Sequence, residues 1–351
     1  MKFKKFFTLG LATILTSSML VGCGGKASEE KAEDQPKTEE TKVIKIGMIT
    51  DTGGVNDESF NQSAWTGLQN AQKEVGKEKL EVKYLESKQD SDYISNIETF
   101  VDAEIDLIIG VGYKLQPAIE EASKNYPEQK FALIDSVVDA DNVVSLLYDD
   151  HVSSYLTGLI AGKMTETNKI GFIGGMKGEV LERFRWGFRA GIEAVNPDAQ
   201  YVDQYVDSFT DVAKGKSTAN QMHSDGVDII LTAAGAVGTG AIEAAKENNK
   251  KAIGVDQDQN YLAPDHVITS AIKNIDVSVA NVAKELVNGN FEGGEVFENN
   301  LVNGGIGIAP TTDKNVQPDV LKFVNEQIEK IKAGEIEVPG TEEEYNALKG
   351  E

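Results

Sequence analysis

The sequence predicts an α/β protein built as two doubly wound lobes, each with a mostly parallel sheet. Three observations carry this. From residue 43 onward, short apolar runs alternate with helical patterns, the signature of βαβ units. Four elements of the first half recur, in order, in the second. A glycine-bearing loop at 51–62 (DTGGVNDESFNQ) leads from the first apolar run straight into a helical pattern. In open α/β sheets such loops, outside the carboxyl ends of the strands, are where ligands sit.

The repeat can be followed residue by residue. KIGMITD at 45–51 has its counterpart in KIGFIGG at 169–175, and IDLIIG at 105–110 in VDIILT at 227–232. AIEEASK at 118–124 answers AIEAAKE at 241–247, and FALID at 131–135 answers AIGVD at 252–256. Ile46 precedes Ile109 by 63 residues and Ile170 precedes Ile230 by 60. A period of about 124 residues means a duplicated domain rather than a solenoid.

Taken in order, residues 1–22 read as an export signal. Lys2, Lys4 and Lys5 precede an apolar and small-residue stretch at 6–21, which is short for a membrane span. It ends LVGC at 20–23 and resembles a bacterial lipobox, which makes Cys23 the lipid-modified residue. Cys23 is the only cysteine of the chain, which excludes an intramolecular disulfide and a multi-cysteine metal site. Residues 23–42 are then a lipidated cysteine and a Glu- and Lys-rich tether with no hydrophobic period, too polar to order itself. The expected location is the cell membrane, lipid-anchored on the extracytoplasmic face.

The body is long enough for two domains. Strands are expected near 43–49, 79–85, 106–111, 130–135 and 143–148, with helices near 61–76, 90–102, 115–125 and 152–165. The second lobe has strands near 168–173, 200–206, 228–232, 251–255 and 267–272, and helices near 179–195, 212–223 and 237–249. A helix at 275–288, a strand at 296–303 and a helix at 318–333 follow. This tail stands outside the repeat, so the chain is expected to cross between lobes again. The N-terminal lobe is then 43–149 with about 274–309, and the C-terminal lobe 150–273 with about 310–351. Several strands form the hinge, and the ligand lies in the cleft between the lobes.

The formal net charge of −23 argues against a nucleic-acid polymer as partner, since no basic stripe exists to displace counterions. The 51–62 loop offers acceptors and one aromatic face but no cation. It suits a neutral, hydroxyl- or amide-rich ring better than a phosphate. Asp57 and Ser59 also suit capping of the following helix.

Motifs in a fixed order add a resemblance. They are Asp51-x-Gly-Gly-x-Asn-Asp-x-Ser-Phe-Asn61, Gly110-x-Gly112, Ser154-Tyr-Leu-x-Gly158 and Gly187-Phe-x-x-Gly191. Phe209-Thr-Asp-x-Ala-Lys-Gly-Lys216, Gly254-Val-Asp-x-Asp-Gln259 and Ser270-Ala-Ile-Lys-Asn-Ile-Asp-Val277 complete them. From 43 to 307 the chain resembles the basic membrane protein (BMP) or PnrA-like family of nucleoside-binding lipoproteins. The resemblance implies a type I periplasmic-binding-protein fold and reversible binding of a purine nucleoside such as guanosine, inosine or adenosine. It also implies an ABC permease and ATPase subunits as partners, and no cofactor.

Carried over residue by residue, the resemblance makes Phe60 and Phe209 the two rings that stack on the base. Phe184 and Trp186 are rivals for the second wall that read better as helix packing. Asp51 and Asp135 end the first and fourth strands, and as carboxylates accept N–H donors of a base edge; Asn61 adds an amide. Asp256 is the repeat equivalent of Asp135 and suits the two ribose hydroxyls, with Lys273 balancing it. Gly235 gives close backbone approach to the sugar. Asp258 and Gln259 are further neighbours. The acidic stretches at 139–143 and 149–151 have no assignment.

No catalytic residue and no metal site is expected. Gly-x-Gly-x-x-Gly, Walker A and Gly-x-Ser-x-Gly sequences are missing. His151, His223 and His266 are scattered without metal-ligand spacing. Asp51 and Asp57 alone do not make the calcium-centred Asp cluster of a nucleoside hydrolase. The alternative reading is a binding protein of the same fold for a sugar or another signal molecule.

Overall fold

Two six-stranded sheets, each flanked by helices, make up the structure, a computed structural model that describes residues 42–350. The export signal at 1–22, Cys23 and the tether up to residue 41 lie outside the described residues. Residues from Thr41 to Glu351 form one compact unit by themselves.

The chain begins with β1 (Ile44–Ile49), β2 (Leu80–Leu85), β3 (Leu107–Val111), β4 (Lys130–Ile134) and β5 (Val143–Tyr148). It goes on to β6 (Lys169–Gly174), β7 (Gln200–Tyr205), β8 (Ile229–Ala233), β9 (Lys251–Asp256) and β10 (Val267–Lys273). β11 (Val296–Asn299) returns to the first sheet and β12 (Ile306–Ile308) to the second. The orders are β11-β5-β4-β3-β1-β2 and β12-β10-β9-β8-β6-β7. Five strands of each match position for position, which is the duplication seen in the sequence, while the sixth strands differ: β11 is parallel to β5 and β12 antiparallel to β10. In both sheets the order reverses beside the first strand, between β1 and β3 and between β6 and β8, and this switch point opens a crevice for ligands.

The helices are α1 (Phe60–Val75), α2 (Asp92–Asp102), α3 (Gln116–Asn125), α4 (Asp150–Met164), α5 (Glu179–Val195) and α6 (Val212–Ser224). α7 (Ala236–Glu247), α8 (Ile275–Asn288), α9 (Thr312–Asn315), α10 (Pro318–Lys332) and α11 (Glu342–Lys349) follow. Among the described residues, no helix is long and apolar enough to cross a membrane.

Both central strands are buried on two faces, LIIGV in β3 and IILTA in β8, as parallel sheets require. In the first lobe Ile46, Met48 and Ile109 pack under α1 and α8, while Ile108, Phe131 and Leu133 pack under α2 and α3. Each such side chain contributes roughly 1.5–3 kcal/mol by leaving water. α4 and α5 approach each other through small residues. A Cβ on Gly187 would lie 2.1 Å from the His151 carbonyl oxygen, and one on Gly191 2.1 Å from that of Tyr155. The glycine spacing at 187 and 191 is thus the contact face of a helix pair.

The expected strand at 296–303 ends at Asn299. Asn300 and Asn303 take backbone N–H groups of 302, 303, 300 and 305 onto their side-chain oxygens, and Gly304 turns at φ +75°. This reversal sends the chain into β12, antiparallel to β10. Residues 306–308 therefore sit with the second sheet. Three crossings, after β5, after β10 and at 300–305, join the lobes.

Candidate functional site

The carboxyl ends of the two sheets face each other across a cavity. Asp51 follows β1, Asp135 follows β4, Asp256 ends β9 and Lys273 ends β10. Phe60 opens α1, Phe209 follows β7 and Gly235 follows β8. With Asn61, all eight residues singled out in the sequence line this one cavity.

The 51–62 loop is built around carboxylates. Asp57 accepts the backbone N–H groups of Ser59 (3.0 Å), Asn61 (2.8 Å) and Gln62 (3.0 Å), which caps α1. Ser59 was expected to share that role. Its Oγ instead donates across the cleft to Asp256 Oδ2. The Asn61 amide donates to Asp51 (2.8 Å) and to Asp57 (2.9 Å) and accepts the Asp51 N–H (3.2 Å). Both its donors are spent inside the loop, so Asn61 orients Asp51. Asp51 Oδ1 also takes the Gly53 N–H at 2.8 Å.

Asp135 and Asp256 share a second feature. Both have positive φ, 69° and 66°, a conformation that side chains rarely adopt and that clusters at functional sites. The repeat thus reproduces a strained strand end, not only a sequence.

Lys273 departs from its expected partner. Its ammonium donates to both oxygens of Asp135, at 2.6 and 2.7 Å, and lies 3.0 Å from Asp150 Oδ1. Asp256 is a neighbour in the field but not its ion pair. The reason is geometric: β10 points Lys273 at the facing strand end in the other lobe. Asp150, fully buried, is held on its far side by Arg183 at 3.0 Å. The sequence left the 149–151 stretch unassigned, and no periodicity or spacing there marks Asp150. The Lys273 ammonium also sits 5.2 Å from the centre of the Phe60 ring and 4.8 Å from that of Tyr148, a cation–π arrangement.

Burial governs the electrostatics. It pushes Asp51 up to about 6 and Asp256 up to about 7. It raises Asp135 as well, against the pull of Lys273. For Lys273 burial works against the charge, but Asp135, Asp150 and Asp256 together outweigh it and raise its pKa. Asp51 takes its bonds through Oδ1 and Asp256 through Oδ2. Among the described residues no donor reaches Asp51 Oδ2 or Asp256 Oδ1. Two buried carboxylates thus each keep an acceptor without a protein partner.

Tyr113, Val180, Leu181 and Phe184 also line the cavity. Tyr113 went unremarked in the sequence, although it directly follows the Gly110-x-Gly112 motif. Phe184, expected to serve helix packing, reaches the cavity, whereas Trp186 packs outward on Tyr345 with ring centres 4.9 Å apart. Asp258 holds Thr311 and Gln259 holds the Val255 N–H, and neither lines the cavity. Gly235, at φ +56°, has Phe209 as its nearest neighbour. None of the three histidines lines the cavity. Among the described residues no cluster of His, Cys, Asp and Glu is arranged to hold a metal ion.

A profile of the family described as ABC transporter substrate-binding protein PnrA-like (Bmp) matches residues 44–342. The chain belongs to this family. It is 42% identical to a CD4+ T-cell-stimulating antigen of Listeria monocytogenes, over 96% of this chain and 99% of that one. It is 38% identical to the ABC transporter nucleoside-binding protein BmpA of Lactococcus lactis, over 86% and 90%. Among solved structures, an ABC transporter system solute-binding protein from Aeropyrum pernix K1 superposes with a TM-score of 0.79 at 29% identity, covering 87% and 96%. The two parallel-sheet domains are those of periplasmic binding proteins, and members of the family are substrate-binding proteins of ABC transporters, not enzymes.

Proposed function

We propose that this substrate-binding protein takes up purine nucleosides in the interlobe cleft and delivers them to an ABC permease while tethered to the membrane by a lipid on Cys23. One observation carries the ligand reading. Two buried carboxylates, each with an acceptor that no donor among the described residues reaches, sit in a cavity lined by Phe60 and Phe209. A flat ring bearing N–H groups, joined to a sugar bearing hydroxyls, answers both features. Stacking on an aromatic ring contributes about 1–3 kcal/mol per base. A hydrogen bond to a charged acceptor adds roughly 1.5–3 kcal/mol.

The roles divide along the cavity. Asp51, oriented by Asn61, accepts from the base edge. Asp256 accepts from the ribose. Asp135 is bound on both oxygens by Lys273, so its part in base recognition gives way to holding Lys273 at the sugar end. The name of the Lactococcus relative, a nucleoside-binding protein, points the same way. Contacts between lobes, Ser59 with Asp256 and the Glu58 carbonyl with Gln259 at 2.8 Å, are those of a shut cleft. A ligand that bridges both lobes favours this state by its differential affinity, and the permease then distinguishes loaded from empty protein.

The test is calorimetric titration of residues 24–351 with guanosine, inosine, adenosine, cytidine, uridine, free bases and ribose. One-to-one binding of purine nucleosides, with weak responses to ribose and free bases, is the expected result. Heat from a sugar and none from nucleosides would replace this reading with that of a sugar-binding protein. Free base appearing during the titration would mean turnover.

A further inference from the structure

Tyr113 stands in the short helical turn after β3, in the first lobe, and Gly178 stands at the start of α5, in the second. A Cβ on Gly178 would lie 2.7 Å from Tyr113 Oη, 3.0 Å from its Cζ and 3.3 Å from its Cε2. These are its three nearest neighbours, so one ring from the opposite lobe fills the space a side chain would need. The backbone makes no such demand. Gly178 has φ −177° and ψ 167°, extended geometry open to any residue. The room for a side chain at Gly178 is set by the approach of Tyr113 and not by the backbone.

Tyr113 also packs against the hydrophobic core of the second lobe, although its own chain belongs to the first. It lines the cavity together with Val180, Leu181 and Phe184. The next residue repeats the crossing: Lys114 Nζ lies 3.9 Å from Met176 Sδ. Other contacts across the cleft are polar, at Ser59, Glu58 and Lys273, while Leu301, Ile331 and Val338 touch both cores away from it. The Tyr113 ring is the surface that the first lobe seats into the second at Gly178.

We propose that Tyr113 and Gly178 form a knob and notch that registers the two lobes and seals the cavity beside Val180, Leu181 and Phe184. Tyr113 is then a positioning residue for the closed state and a brake on ligand release. The inference rests on the cleft being the ligand site and does not depend on which ligand occupies it.

The experiment is a size-swap cycle in residues 41–351, the unit that carries all the described cores. Wild type, Gly178→Ala, Tyr113→Phe, Tyr113→Ala and Gly178→Ala with Tyr113→Phe are compared. Guanosine dissociation is followed by stopped flow and closure by small-angle scattering. Gly178→Ala pushes a methyl group into the phenol and speeds release by roughly tenfold, the scale of a modest overpacking cost. Tyr113→Phe removes the 2.7 Å neighbour and, in the Gly178→Ala background, restores much of the wild-type rate. Tyr113→Ala speeds release with or without the methyl group. Gly178→Ala releasing guanosine at the wild-type rate, or no recovery with Tyr113→Phe, would overturn the interlock. Failure of the wild type to bind guanosine strikes the nucleoside reading instead. Hydrogen exchange of segment 176–184 in ligand-free protein then decides the interlock: faster exchange in Tyr113→Ala supports it and unchanged exchange overturns it.

Discussion

Asp51 and Asp256 define the site at the scale of single residues. Each is buried, each has one oxygen satisfied by the protein, and each is raised toward neutrality by burial. Replacing either by Asn keeps the shape and removes the charge-assisted bond. Asp51→Asn and Asp256→Asn should each weaken nucleoside binding by roughly ten- to a hundredfold, the worth of about 1.5–3 kcal/mol. Unchanged affinity in calorimetry would remove that residue from the ligand contacts.

The same two groups set a pH dependence. Their values rise from 3.8 to about 6 and about 7, so the folded state holds protons that the unfolded state has released. Their stabilising contribution is full below about pH 4 and is lost as pH rises through 6 to 7. The melting temperature of ligand-free protein should therefore fall between pH 5 and pH 8, and fall less in the double variant Asp51→Asn with Asp256→Asn. Equal slopes in thermal scans of the two proteins would assign the drop to other groups.

Among the elements, those with a strong local signal were legible in the sequence. The strands around the repeat and the loop before α1 fall where the apolar runs and the Asp-Gly-Gly cluster placed them, because a parallel strand is buried on both faces and reads as an unbroken apolar run. Asp57 was legible as a cap because its role is local. Ser59, two residues on, was not, because its partner Asp256 is 197 residues away. The 296–303 segment was read as one strand from its apolar residues, although Asn299, Asn300 and Asn303 interrupt them; the turn is made by asparagine side chains folding back on their own backbone, a turn chemistry that an apolar pattern does not register. The α4–α5 pair gives a test at this scale. A methyl group at Gly187 meets a carbonyl oxygen of the facing helix, so Gly187→Ala should destabilise the fold by about 1–3 kcal/mol. Denaturant unfolding measures it, and an unchanged midpoint would show that the helices part without cost.

At the scale of the whole molecule, the lobes are tied by charge. Arg183, Asp150, Lys273 and Asp135 form a chain of buried ion pairs that runs from α5 through the start of α4 to the ends of β10 and β4. Removing Asp150 leaves Lys273 and Arg183 facing the interior with one carboxylate fewer. Breaking a buried pair on one side costs about 3–5 kcal/mol, so Asp150→Ala should lower stability by that order while Asp150→Asn loses less. Chemical denaturation of both variants checks this, and equal losses would show that the charge, which both variants remove, matters at this position and the shape that Asn keeps does not.

The sequence by itself determined the duplication, the strand ends that carry Asp51, Asp135 and Asp256, and the family. These follow from apolar periodicity and from motifs that lie within one element or one turn. Tertiary structure alone decided which carboxylate Lys273 binds, that Asn61 serves Asp51, that Asp150 and Arg183 stand behind the site, and that Tyr113 fills the notch at Gly178. The physical reason is the same in each case. A side chain's partner across a cleft is fixed by how two sheets face each other, and no spacing along a single chain encodes that distance.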